Sequence, residues 1–224
     1  MPLTVAALQY CASDDAIATL AHIEPLIAGA ARTSKLICLP EAASFLAASR
    51  AQLAERAESE DDSVSQKRLA ALARQHNVWL LAGSLFLRRR QDHKLVNRSV
   101  LFDPRGQIIA SYDKIHMFDA DVGDGRNYCE SDSFAAGDTP VMANLGGIQL
   151  GMSICYDLRF AHLYRQLARD GAHILRYQPH LPRLAVLPIG MFCCERGLLK
   201  PAAMSLRPPN VARTAMAARL MVMP

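Results

Sequence analysis

Residues 151–160 read G-M-S-I-C-Y-D-L-R-F. An apolar run opens at Val141, breaks at the Gly146-Gly147 pair and resumes at Ile148. It delivers one thiol, Cys155, to the point where strand character stops and a helical pattern through Leu163, Leu167 and Ala168 begins. Chemistry in α/β proteins collects at such strand ends. A thiol there is held by the strand behind it, and the backbone N–H groups just after it face a developing negative charge. The same thiol could simply fill space, because free cysteine is among the most buried residue types.

Working outward from that stretch, the chain alternates strands and helices. Val5 to Leu8 reads as a strand, and Ser13 then caps a helix with Ile17, Leu20, Ile23, Leu26 and Ile27 on one face. Leu36 to Leu39 is a buried strand stopped by Pro40, which leaves Glu41 at its carboxyl end as either a helix-capping acid or a catalytic base. Ser63 or Ser65 opens a helix through Leu69, Leu72 and Ala73, and strands return at Val78 to Leu81 and Gly83 to Leu87. Leu95 to Phe102 and Gln107 to Tyr112 flank the turn Asp103-Pro104-Arg105-Gly106 and predict a β-hairpin. Lys114 follows at once, either a snorkelling surface lysine or a fixed charge at a strand end. His116 reads as a satisfied, partly buried histidine. The long polar loop from Asp119 to Asp138 carries Glu130, either a plain loop carboxylate or part of a site. This order predicts an α/β protein with helices packed on a mixed sheet.

Composition narrows the function classes. The chain has 224 residues, 51% of them hydrophobic and 21% charged, enough for a sizeable core. No run approaches the ~18 apolar residues of a membrane span, and the opening M-P-L-T-V-A-A-L-Q lacks an export signal, so a cytoplasmic protein with no membrane partner is expected. The six cysteines show no zinc spacing and read as reduced thiols. The net charge of +4 is not spread along the chain. Residues 176–224 hold seven basic residues against one acidic, whereas residues 1–175 are slightly acidic, so no nucleic-acid partner is expected. Neither a dinucleotide fingerprint nor a P-loop is present.

Glu41, Lys114, Glu130 and Cys155 stand in the contexts L-P-E, Y-D-K-I-H-M-F-D, C-E-S-D-S-F-A-A-G-D and C-Y-D-L-R-F. In order and spacing over residues 4–175, these motifs resemble the nitrilase superfamily of carbon-nitrogen hydrolases. The wording around Glu130 and Cys155 is most similar to the branch of deaminated glutathione amidases and ω-amidases. The resemblance implies an α-β-β-α sandwich and a Cys-Glu-Lys amidase acting on a small amide through a thioester, with release of ammonia and no metal or organic cofactor. It assigns Cys155 as nucleophile, Glu41 as general base and then acid, and Lys114 with the Tyr156 backbone N–H as oxyanion donors. Glu130 would hold Lys114 and the substrate amide or the attacking water. Family members pair into homodimers, which makes Tyr164 to Arg169 a candidate interface.

The resemblance stops near Leu175. A carbon-nitrogen hydrolase domain is therefore expected over 1–175, C-terminally incomplete, with a non-matching and irregular tail over 176–224. That tail holds seven of the twelve prolines and five of the nine methionines. Joining the last base of each codon to the first two of the next turns Met191-Phe192-Cys193-Cys194 necessarily into Val-Leu-Leu. The surrounding codons permit W-H-V-L-L-R-A-R-A-I-E, similar to the helix the family has there. A shifted reading frame is thus expected, with a poorly active product. The alternative is a catalytically dead remnant serving as a binding protein, or a natural basic extension for an acidic partner.

Overall fold

The computed structural model describes residues 3–121, 127–177, 190–195, 198–201 and 216–220. Two mixed sheets face each other. The first has the order β14-β1-β2-β4-β5-β6, built from Met216–Leu220, Leu3–Ala7, Leu36–Cys38, Trp79–Arg88, Leu95–Phe102 and Ile108–Asp113, with β3 (Glu58–Ser59) also on β4. The second has the order β13-β12-β11-β10-β9, from Leu198–Pro201, Gly190–Glu195, Ile174–Tyr177, Gln149–Gly151 and Met142–Asn144. A small ribbon pairs β7 (Asp119–Asp121) with β8 (Asn127–Cys129). Strands β1, β2 and β4 run parallel, as do β10 and β11. The expected hairpin is β5–β6, paired antiparallel.

Period-two alternation assigns each strand's two faces to two cores. Ala6, Ile37, Leu39, Leu80, Ala82, Val100 and Phe102 point to the helices α1 (Ala16–Ala31) and α3 (Val64–His76). Leu3, Val5, Leu36, Cys38, Leu81 and Leu101 point the other way, onto Ala143, Leu150, Met152, Ile154 and Ile174 of the second sheet and its extension. Helix α4 (Ala161–Arg169) covers the far face of that sheet through Leu163, Tyr164 and Leu167. The α-β-β-α sandwich implied by the resemblance is what these layers form. A shorter helix, α2 (Arg50–Arg56), lies near the rim.

Local signals behave as their chemistry requires, with one correction. Ser63 caps α3 by accepting from Gln66 N at 3.0 Å. Helix α1 is capped by Asp15, which accepts from Ala18 N at 2.9 Å, rather than by Ser13. Ser13 instead donates to the Asp15 carbonyl at 2.9 Å, so it braces the cap two residues upstream. Gly146 and Gly147, at φ 68° and 103°, make the turn between β9 and β10 with backbone angles that other residues seldom adopt.

Beyond residue 175 the expectation of an irregular tail needs amendment where the backbone is described. Strand β11 continues to Tyr177, β12 and β13 extend the second sheet antiparallel, and β14 pairs antiparallel with β1. The edges of β1 and β11 offer unpaired N–H and C=O groups. A following segment can satisfy them through backbone hydrogen bonds alone, whatever its side-chain pattern. The rest of that expectation falls on residues outside those described. No helix among the described residues is long and apolar enough to cross a membrane.

Candidate active site

Glu41 leaves β2 through Leu39 and Pro40, and the chain then turns sharply at Ala42, φ 53°. Ser84 holds this turn: its Oγ accepts from Ala42 N at 3.0 Å and its carbonyl from Ala43 N at 2.8 Å. Lys114 lies one residue past β6, its side chain only 2% exposed, and its backbone N–H donates to the Asn97 carbonyl at 2.9 Å. Its Nζ donates to Glu130 Oε1 at 2.9 Å and Oε2 at 2.7 Å, and reaches Glu41 Oε1 at 3.4 Å. Glu130 opens a short 3-10 turn, Glu130–Asp132, and its Oε2 also accepts from Phe118 N at 2.8 Å. The buried lysine therefore sits between two carboxylates taken from different parts of the chain.

Burial works against the charged form of Lys114. The charges of Glu41, Glu130 and Cys155 outweigh that cost and hold the ammonium well above the ordinary lysine range. Lys114, Glu41 and Glu130 thus meet at one place, and Cys155 lies within electrostatic range of Lys114. Cys155 begins a five-residue 3-10 turn, Cys155–Arg159, and the α-helix starts only at Ala161. The thiol residue has φ 45°, a left-handed conformation uncommon outside glycine and typical of strained functional positions. Tyr156 follows, its ring edge-on to Phe118 and Phe160 with centroids 5.0 and 5.5 Å away.

Two contributors escaped the sequence reading. Asn97 is 1% exposed in the middle of β5, and its Nδ2 donates to Glu41 Oε1 at 3.0 Å and Glu130 Oε1 at 3.2 Å. The signal was an amide at an interior position of the run L-V-N-R-S-V-L-F. Arg176 is fully buried at the end of β11, and its guanidinium donates to the Leu39 carbonyl, two residues before Glu41. His116 is satisfied and partly buried, as expected, with its ring stacked on Phe160 at 3.6 Å between centroids.

Comparison with known proteins matches residues 4–191 to a family described as carbon-nitrogen hydrolase. A deaminated glutathione amidase of Yersinia enterocolitica is 38% identical over 174 residues, covering 76% of this chain and 60% of that protein. One from Synechocystis is 36% identical over 178 residues, covering 78% and 65%. The chain thus spans less than two thirds of the length of these relatives. Among solved structures, Saccharomyces cerevisiae Nit3, a member of branch 10 of the nitrilase superfamily, superposes with a TM-score of 0.74 at 20% identity, covering 98% of this chain and 90% of that one. The Caenorhabditis elegans NitFhit protein gives 0.76 at 18%, covering 99% and 61%. Shared sequence over most of its length places the chain in the carbon-nitrogen hydrolase family, and its fold is the one these solved structures share.

Proposed function

We propose that the chain is built as an amidase that hydrolyses a small amide through a thioester on Cys155. The observation that carries this reading is the contact of one buried ammonium, Lys114 Nζ, with both Glu130 and Glu41 beside a strained cysteine. An unperturbed thiol, with a pKa near ~8.5, is mostly protonated at neutral pH. Glu41 takes the proton from Sγ, and the thiolate attacks the amide carbon. The carbonyl oxygen becomes an oxyanion held by Lys114 Nζ and the Tyr156 N–H. Glu41 then returns the proton to the departing nitrogen, the C–N bond breaks, and ammonia leaves a thioester. Water, deprotonated by Glu41 and oriented by Glu130, attacks the thioester and releases the acid, restoring the thiol. Asn97, donating to both carboxylates, keeps them apart and aimed. None of these steps calls for a metal or an organic cofactor.

The names of the relatives favour a small amide as substrate over a nitrile. The exposed side of α4, with Arg165, Gln166 and Arg169 above buried Tyr164 and Leu167, is the surface we assign to a homodimer. The test is ammonia release from ω-amide dicarboxylates together with alkylation of Cys155. Hyper-reactivity that disappears in Cys155→Ala and falls in Glu41→Gln supports the amidase. An unreactive Cys155 in folded protein would favour a binding protein that has lost catalysis.

The break in composition near Leu175 favours a further reading, in which the segment after it is encoded in a shifted frame and the literal product has low activity. Genomic DNA across codon 175 tests this directly. A single intact frame with no family-like alternative overturns it. A restored frame should yield a chain with higher ammonia release per mole.

A further inference from the structure

Lys114 and Cys155 come from different sheets, and oxyanion stabilisation requires their separation to be held to a fraction of an ångström. One buried carboxylate outside the catalytic set ties their two segments together. Asp157 is 0% exposed. Its Oδ2 accepts from the Tyr112 hydroxyl at 2.7 Å and from Ile154 N at 2.9 Å. Its Oδ1 accepts from His116 N at 3.1 Å and from His116 Nδ1 at 2.6 Å. Tyr112 and His116 stand two residues before and two residues after Lys114. Ile154 and Asp157 stand one residue before and two residues after Cys155. All four hydrogen bonds thus run between the lysine segment and the cysteine turn, or within that turn.

We propose that Asp157 is a positioning residue: its carboxylate clamps the segment around Lys114 to the turn that carries Cys155, and so sets the ammonium against the thiolate. The inference rests on the amidase reading of the site. Three observations make the clamp stiff. A fully buried anion is costly unless every lone pair is used, and four donors use them. Burial and the neighbouring Asp157 charge keep the Tyr112 hydroxyl protonated far beyond its ordinary range, so it remains a donor. The bond from Ile154 N closes the first turn of the 3-10 segment, opposing relaxation of Cys155 from φ 45° to an ordinary backbone conformation. The His116 ring, hydrogen-bonded to Asp157 through Nδ1 and stacked on Phe160, carries the clamp to the start of α4.

The test is the pH dependence of Cys155 alkylation by iodoacetamide, located by peptide mass spectrometry and normalised to folded protein. The charged and titratable groups on the segments that meet here are Lys114, with Glu41 and Glu130 bonded to it, Asp157 and Arg159 in the cysteine turn, and Tyr112 and His116 bonded to Asp157. Asp157→Asn removes an anion, which by simple electrostatics would make the thiolate form at lower pH. Loss of the clamp lets Lys114 withdraw, which makes it form at higher pH. The proposal expects the midpoint to rise by roughly half a unit to one unit, with kcat for ammonia release down about tenfold or more and KM within about twofold. Tyr112→Phe leaves the charge unchanged and removes one donor. It should move the midpoint the same way by less, and it carries the test by itself if Asp157→Asn does not fold. A midpoint that is unchanged or lowered in the folded variants overturns the clamp and leaves the amidase reading intact. A wild-type Cys155 that shows no reactivity overturns the amidase reading, and the clamp with it.

Discussion

Lys114 Nζ grips both oxygens of Glu130, at 2.9 and 2.7 Å, and this bidentate contact is tighter than its single 3.4 Å contact with Glu41. The lysine is therefore anchored on Glu130, and Glu41 is left with the looser bond, which suits the proton-carrying role we propose for it. Glu130→Gln keeps one acceptor for the lysine and loses the charge. We expect kcat to fall by about 10²-fold while Cys155 alkylation falls less than in Glu41→Gln, because Glu130 does not take the thiol proton. Parallel measurement of ammonia release and alkylation in the two variants checks this order.

Removing the cation leaves two partly buried carboxylates facing each other. Lys114→Met should destabilise the protein by about 3–5 kcal/mol at neutral pH, read from urea unfolding. In the variant, a carboxylate pKa raised above its ordinary ~4.3 gives a contribution that is present below that value and lost as pH rises through the raised one, so stability should recover on acidification toward pH 5. In the wild type, the ammonium is raised above its ordinary ~10.4. Its contribution is complete below ~10.4 and is lost only as pH climbs through the raised value, so the gap between the two proteins should narrow again in strong alkali. A gap independent of pH would contradict the pairing.

Asn97 donates to Glu41 at 3.0 Å and to Glu130 at 3.2 Å from a position that is 1% exposed. Asn97→Leu strips a donor from two partly buried acceptors, at a cost of about 1–3 kcal/mol in unfolding free energy. Asn97→Asp adds a third carboxylate beside the other two and should be worse. If the aspartate variant proves as stable as wild type, the bridging role fails.

Cys38 lies in β2, 0% exposed between the two sheets, and burial pushes its thiol up, opposed by the nearby Arg176 charge. Limiting iodoacetamide at pH 7.5, roughly a unit below the free thiol's pKa, should therefore modify Cys155 first and leave Cys38 intact until the protein unfolds. Peptide mapping with and without urea distinguishes the two thiols. Early modification of Cys38 in folded protein would mean that the sheets do not close over it.

The strand and helix order could be read from local pattern because alternation of apolar residues in strands and 3.6-residue spacing in helices report which face is buried without naming the partner. Glu41, Lys114, Glu130 and Cys155 stand out locally as polar residues at strand ends or in the one long loop, each with a plain structural alternative, and only the resemblance of their contexts to a family joins them into a candidate site. Misreadings arose where short polar side chains compete for the same backbone donors, as with Ser13 and Asp15 at the start of α1. They also arose beyond residue 175, where backbone pairing places strands on open sheet edges without a hydrophobic pattern to announce them.

What the sequence determined by itself was the set of elements and the chemistry they carry, since both depend on neighbours a few residues away. Tertiary structure decided which of those groups meet. Lys114 and Glu41 are 73 residues apart in the chain, Asn97 and Glu41 are 56 apart, and Tyr112 and Asp157 are 45 apart. No local periodicity encodes such contacts. They exist because two sheets pack face to face and bring distant strands and turns together, and that packing turns Asn97 and Asp157 from unremarked polar residues into the groups that hold the site in register.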